Sequence, residues 1–189
     1  MINIYNVDAW EYIAGLEDQS VDVVISDPIY NAEVNMDELR RICKGHIILF
    51  CDPRARFFQP DEVALWMKPP SSKNTTKHLA HPWEEILIER HGNTYNAGLE
   101  SANYNGVYYD ILLEKRTHPY QKPLSLMERL VAIYSNPGDM ILDMFFGSGS
   151  TLKAAWNLGR DATGCEIDSA SHQKFVDWAN SLPPPMSAF

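Results

Sequence analysis

Val21-Asp22-Val23-Val24-Ile25-Ser26-Asp27-Pro28-Ile29-Tyr30 is the stretch that decides the fold. A short run rich in β-branched residues reads as a strand buried on both faces, and the proline stops it. The strand delivers a carboxylate (Asp27), a backbone carbonyl (Pro28) and an aromatic ring (Tyr30) to its C-terminal end. Open α/β sheets bind ligands at that edge. Two acceptors beside a stacking ring suit the holding of a planar amine. By itself the tetrapeptide would read as a turn, because Asp-Pro is common in turns.

A second constellation changes that balance. Met140-Ile141-Leu142-Asp143 reads as a strand ending in an acid, followed by Met144-Phe145-Phe146-Gly147-Ser148-Gly149-Ser150-Thr151. An amphipathic helix follows, carrying Leu152, Ala155 and Trp156, with Gly159 as its stop. Glycines let a ligand approach the backbone, and the helix N-terminus favours an anionic group. A further strand leads to Gly164-Cys165-Glu166, which puts Glu166 roughly 20 residues past the glycines, where nucleotide-binding α/β units carry a ribose-binding acid. Leu152 stands where a dinucleotide fingerprint has its third glycine, and no Gly-Lys-Ser/Thr follows. The pattern fits an adenosine-type cofactor without a pyrophosphate.

Alternating strands and helices surround both motifs. Strands are expected at Ile2–Tyr5, Val21–Ser26, His46–Cys51, Val63–Lys68, Glu84–Arg90 and Val107–Leu113. Helices are expected at Ala9–Leu16, Met36–Ile42 and Leu124–Tyr134. The pattern predicts one doubly wound, Rossmann-like, mostly parallel α/β sheet, with a hairpin among the later strands on the C-terminal side. The expected division is a catalytic half over 1–68, substrate-side loops and late strands over 69–117, and a cofactor half over 118–182. Residues 183–189 are expected to form a tail outside the fold.

Together these pieces resemble the DNA amino-methyltransferases that make N6-methyladenine or N4-methylcytosine, in the permuted order with the catalytic tetrapeptide first. Asp27-Pro28-Ile29-Tyr30 is similar to the family's Asp-Pro-Pro-Tyr. His118-Pro119-Tyr120-Gln121-Lys122-Pro123 is similar to its His-Pro-Thr-Gln-Lys-Pro. Asp143 to Thr151 is similar to its Asp-Pro-Phe-x-Gly-Ser-Gly-Thr-Thr, and Asn6-Val7-Asp8 fits its first strand and helix. Ile29 stands in place of the second Pro of the tetrapeptide, and Met144 in place of the Pro after the cofactor Asp. The resemblance implies S-adenosylmethionine as cofactor and DNA as partner. It implies Asp27, Pro28 and Tyr30 as catalytic residues, the first two accepting from the amine and Tyr30 stacking on a base swung out of the duplex. It implies Asp8 at the cofactor adenine edge, Glu166 at the ribose, and Lys122 and Thr151 at the methionine carboxylate. Asp143 and Phe145 would flank the cofactor, and Gly147 and Gly149 would admit it. Asp8 as a helix N-cap and Lys122 as the start of a helix are the structural alternatives.

Composition bounds these expectations. The net charge is −9, unlike most nucleic-acid binders. Residues 66–123 carry +1, leaving −10 on the rest. Phosphate contact is therefore assigned to Lys68, Lys73, Lys77, Arg54 and Arg56. Cys43, Cys51 and Cys165 are widely spaced and read as reduced thiols of a cytoplasmic protein. No membrane span or signal-peptide pattern is seen. His78 and His81 are too few for a zinc site, so no metal is expected. A homodimer is left open. The alternatives are N4-cytosine or RNA adenine as acceptor, and, from another class, an inactive cofactor- or nucleic-acid-binding subunit. The short loops at 69–81 and 91–106 predict a short or relaxed target sequence.

Overall fold

The computed structural model describes residues 1–29, 33–68, 82–91, 96, 106–113 and 115–182. Its elements run β1 (Ile2–Tyr5), α1 (Ala9–Ala14), β2 (Val23–Ser26), α2 (Met36–Ile42), β3 (Ile47–Cys51), β4 (Glu62–Met67), β5 (Trp83–Glu89), β6 (Val107–Tyr108), α3 (Leu124–Tyr134), β7 (Met140–Asp143), α4 (Ser150–Asn157), β8 (Asp161–Cys165) and α5 (Ser169–Asn180).

All strands join one eight-stranded sheet in the order β1-β8-β7-β2-β3-β5-β4-β6. The pairings from β1 through β3 are parallel. Beyond β3 the sheet turns antiparallel: β5 runs against both β3 and β4, and these two supply the expected hairpin. The short β6 returns parallel to β4.

The uninterrupted apolar runs of β2 and β3 follow from burial on both faces. Val23, Ile25, Ile48 and Phe50 face a core layer shared with Leu126, Leu130, Ala155 and Phe175 of α3, α4 and α5. Val24, Ile47 and Leu49 face the opposite layer, with Ala9, Ile13, Leu39 and Ile42 of α1 and α2. Helices on both faces are the layered solution for a mostly parallel sheet. Trp66 is buried in the larger layer and donates Nε1–H to the Asp110 carbonyl at 2.9 Å.

Two elements differ from those expected. The strand read over Val107–Leu113 ends at Tyr108. Its partner β4 ends one residue beyond the Trp66–Tyr108 register, so the following residues have no strand to pair with on that side. Tyr109 and Leu113 are exposed. Helix α5 has no counterpart among the expected elements: of its twelve residues only Ser171 and Phe175 are buried, which leaves a faint apolar stripe. Its start is marked by Asp168, whose side chain accepts from Ser171 N–H at 2.8 Å.

Gly164 marks a close approach between strands. It lies opposite Asp143 in the β7–β8 register, and a Cβ there would stand 2.6 Å from the Asp143 carbonyl oxygen. Backbone cannot yield as a flexible side chain can. Gly164→Ala is expected to lower stability by about 1–3 kcal/mol, the range of an overpacked core site. Urea unfolding followed by circular dichroism checks this, and a wild-type midpoint would refute it.

Candidate active site

The crossovers leaving β2 run toward β3, and those leaving β7 run toward β8, in the opposite direction along the sheet. Between the two strands lies the crevice that doubly wound sheets use for ligands. A cavity of about 410 Å³ opens there, within the size range of small-molecule sites. Asp27, Pro28, Ile29 and Phe50 line one end. Asp143, Phe145, Gly147, Ser148, Thr151, Glu166 and Ile167 line the other. His118, Tyr120 and Lys122 complete the wall.

Hydrogen bonds hold the two ends together. Ser26, the last residue of β2, donates Oγ–H to Asp143 Oδ1 at 2.7 Å, joining residues 117 apart in sequence. Asp143 also accepts from Phe145 N–H at 3.2 Å and from the Thr151 side chain. Burial pushes its carboxyl up to about 6 against the pull of those donors. Ser150, in the first turn of α4, donates Oγ–H to the Lys122 carbonyl at 2.9 Å.

The glycine turn has its own support. Gly147 and Gly149 both have positive φ. A Cβ on Gly149 would fall 2.1 Å from the Phe175 ring, so this turn closes on α5 only without a side chain. Gly147 N–H donates to Glu166 Oε2 at 2.9 Å, and Asp168 N–H donates to Oε1 at 2.8 Å. A carboxylate has roughly four acceptor positions. Glu166 therefore fixes the turn and keeps capacity for hydroxyl donors at the cavity wall. An adenosine-type group fits this donor set: an acid for a vicinal diol, apolar walls from Phe145 and Ile167, and close backbone at Gly147.

At the other end, Lys122 is buried with Nζ 2.5 Å from Asp27 Oδ2 and 2.9 Å from Glu84 Oε2. Burial lifts the Asp27 carboxyl above the ordinary aspartate range, although the Lys122 ammonium pulls it down; the Glu84 charge adds to the lift. Burial works to lower the Lys122 pKa, but its two carboxylate partners hold it above the ordinary lysine value.

Asp8 caps α1, accepting from Trp10 N–H at 2.9 Å and Glu11 N–H at 3.2 Å, and is not among the cavity-lining residues. Arg54 pairs with Asp52 at 2.6 Å, Lys68 with Glu84 at 2.6 Å, and Arg56 with Glu85 on β5. Tyr30, Lys73 and Lys77 lie outside the described residues, as do His78 and His81. Sequence reasoning missed Ser26, Phe50, Glu84, His118, Tyr120 and Ile167 as parts of the site. Two of these signals were legible: His118 and Tyr120 belong to the same hexapeptide as Lys122, and Phe50 nears the end of the strand parallel to β2. All three cysteines are buried free thiols. Burial raises Cys43 and Cys51 to about 11 and Cys165 to about 12. No described helix is long and apolar enough to cross a membrane.

A family profile described as DNA methylase, N6 and N4 type, matches residues 40–177. The type II methyltransferase M1.MboII of Moraxella bovis is 42% identical over 66 residues, which are 35% of this chain and 24% of that protein. The DNA adenine methyltransferase YhdJ of Escherichia coli strain K12 is 26% identical across 88% of this chain and 78% of its own. Among solved structures, the M1.HpyAVI–SAM complex superposes with a TM-score of 0.76 at 28% identity, covering 94% of this chain and all of that one. The cytosine-N4-specific PvuII methyltransferase shares the fold, with a TM-score of 0.73 at 14% identity, 98% of this chain and 88% of that one being covered.

Asp143 carries a linkage consequence. Its folded pKa is about 6 against 3.8 in the unfolded chain, so the folded state holds its proton more tightly. That contribution is complete below pH 3.8 and is lost as pH rises through about 6. At one pK unit per ~1.4 kcal/mol, the loss is about 3 kcal/mol. Asp143→Asn keeps an acceptor for Ser26 and has nothing to ionise. Its stability relative to the wild type is therefore expected to rise between pH 4.5 and pH 7.5, each pH being chosen to bracket the shifted value. Denaturant titrations at both pH values check this, and a constant difference would refute it.

Proposed function

Because the chain belongs to the DNA methylase family of N6 and N4 type, we propose that it transfers a methyl group from S-adenosylmethionine to the exocyclic N6 amine of adenine in DNA. The observation that carries this reading is the single cavity spanning Asp27 and Pro28 at one end and Asp143 and Glu166 at the other. An amine held at the first end faces whatever is held at the second. Similarity to a DNA adenine methyltransferase along most of the chain supports adenine as the base, as does the acid at position 27 of the tetrapeptide.

Asp143, Phe145, Gly147, Thr151 and Glu166 would hold the cofactor, with Glu166 accepting from its ribose hydroxyls. When bound, the sulfonium supplies an electrophilic methyl group. The chain's own work lies with the acceptor. The adenine amine is a weak nucleophile because its lone pair is delocalised into the ring. Asp27 and the Pro28 carbonyl accept its N–H groups and draw the nitrogen toward tetrahedral geometry, which localises the lone pair. The ion pair at Oδ2 does not exhaust Asp27, since a carboxylate accepts about four hydrogen bonds. The raised pKa of Asp27 makes it a stronger acceptor for the proton that the amine must lose. Alignment of the two groups in one cavity supplies the rest of the acceleration. Tyr30 stacks on the target base, extruded because the amine is out of reach inside a duplex. Exposed Ile29 and Tyr120 at the cavity wall add apolar surface for that base. Short or relaxed sequence choice follows from the few side chains available to read base edges.

Tritium transfer from labelled cofactor to duplexes with adenine or cytosine as the sole acceptor, and to RNA, tests this reading. Label on adenine in DNA is expected. Label on cytosine alone would move the chemistry to N4, and no label on any acceptor would overturn the proposal. Asp27→Ala should lower turnover by roughly a hundredfold or more, the scale of losing one polar group at the reacting centre, with cofactor affinity retained in calorimetry. Glu166→Ala should weaken cofactor binding by roughly one to two decades, the equivalent of ~1.5–3 kcal/mol for hydrogen bonds to a charged group.

A further inference from the structure

Behind the cavity wall the charges continue. Lys122 Nζ bridges Asp27 Oδ2 at 2.5 Å and Glu84 Oε2 at 2.9 Å, and Lys68 Nζ lies 2.6 Å from Glu84 Oε1. Carboxylate, ammonium, carboxylate and ammonium thus alternate from the cavity outward. Lys122 and Glu84 side chains are each 7% exposed, whereas Lys68 is at 35%. The Lys122 ammonium also lies over the rings of Phe50 at 4.8 Å and Trp66 at 5.7 Å. Glu84 belongs to β5, which holds none of the sequence motifs that marked the site.

We propose that Glu84 is a positioning residue for methyl transfer, sharing the Lys122 ammonium so that Asp27 stays aimed at the substrate amine and keeps part of its negative charge. The inference rests on the amino-methyltransferase reading of the site. It also reassigns Lys122, whose expected role at a methionine carboxylate gives way to one beneath Asp27.

A buried ammonium facing a single carboxylate makes a neutral pair, and such an acid is a poor acceptor for a weakly acidic N–H. Shared between two carboxylates, the same ammonium compensates each only in part. Lys68 then balances the excess at the far end, so the group as a whole stays neutral and tolerates burial. A purely structural role is the competing explanation. It is the weaker one, because well-packed apolar side chains commonly replace a buried ion pair without loss of stability. Ile86, Leu87 and Ile88 on the same strand show that apolar residues are accommodated there.

Single-turnover methyl transfer across pH, at saturating cofactor and DNA, separates the two explanations. The Glu84 charge raises the Asp27 pKa and the Lys68 charge lowers it. Glu84→Gln should therefore move the acidic limb of the rate profile down by about one pH unit and lower the plateau rate by about tenfold. Lys68→Met should move the limb up. Glu84→Asp, which keeps the charge, should leave it near the wild-type position. Cofactor affinity in calorimetry should be unchanged in all three. Limbs that stay put, or that move in the same direction in Glu84→Gln and Lys68→Met, overturn the proposal. So does a rate loss in Glu84→Gln that tracks lost cofactor affinity. If Glu84→Gln fails to fold, the Lys68→Met shift decides alone. Carbon-13 NMR titration of the Asp27 carboxyl reads the same displacements without turnover. Displacements in a wild-type-inactive protein refute the assigned reaction, and methyl transfer without displacements refutes the role of Glu84.

Discussion

Everything about the site depends on the parallel pairing of β2 with β7, through Val23–Ile141 and Val24–Leu142. The two strands are far apart in sequence, yet the acid that follows β2, Asp27, and the acid that ends β7, Asp143, must face one cavity. The pairing sets both ends at the same edge of the sheet. It is also where the chain's crossovers part company, which keeps helices from filling the space above. Ser26 seals the junction by giving its hydroxyl proton to Asp143. Had the strands paired elsewhere in the sheet, the two motifs would be intact and useless to each other.

The electrostatic character of the molecule is set by pairing more than by net charge. β5 carries three largely buried glutamates, and each meets a cation: Glu84 meets Lys68 and Lys122, Glu85 meets Arg56, and Glu89 meets Arg40, with the His91 ring beside it. Arginines and lysines that look like a basic patch in one dimension are thus engaged by acids in three. Arg41 is similarly held by Glu38 and Asp18, and Lys44 by Asp22. Attraction of a polyanion to these positions would have to compete with existing partners.

The layered sheet and most of its elements were legible because strands buried on both faces leave continuous apolar runs, as in β2 and β3, while α3 shows a clear helical stripe. The ends of the two motif strands were legible for a related reason: proline and glycine mark where regular structure must stop. What stayed hidden was set by tertiary contact. The length of β6 depends on where β4 ends. Helix α5 buries too little apolar surface to announce itself. Glu84 could not be singled out among 25 acidic residues, because its partners come from distant segments. Lys122 was legible as a site residue, but its partner was not, since one sequence does not say which carboxylate an ammonium will meet.

The burial of the three cysteines has a chemical corollary. Thiolates are the soft nucleophiles of proteins, and a sulfonium methyl is a soft electrophile. Cys51 adjoins Phe50 of the cavity wall, and Cys165 adjoins Glu166. With their pKa values at about 11 and about 12, both remain thiols at neutral pH. Their protons engage backbone carbonyls, those of Asp52 and Ala55 for Cys51 and of Met144 for Cys165. A protein built this way is protected from alkylating itself with the reagent it is proposed to carry.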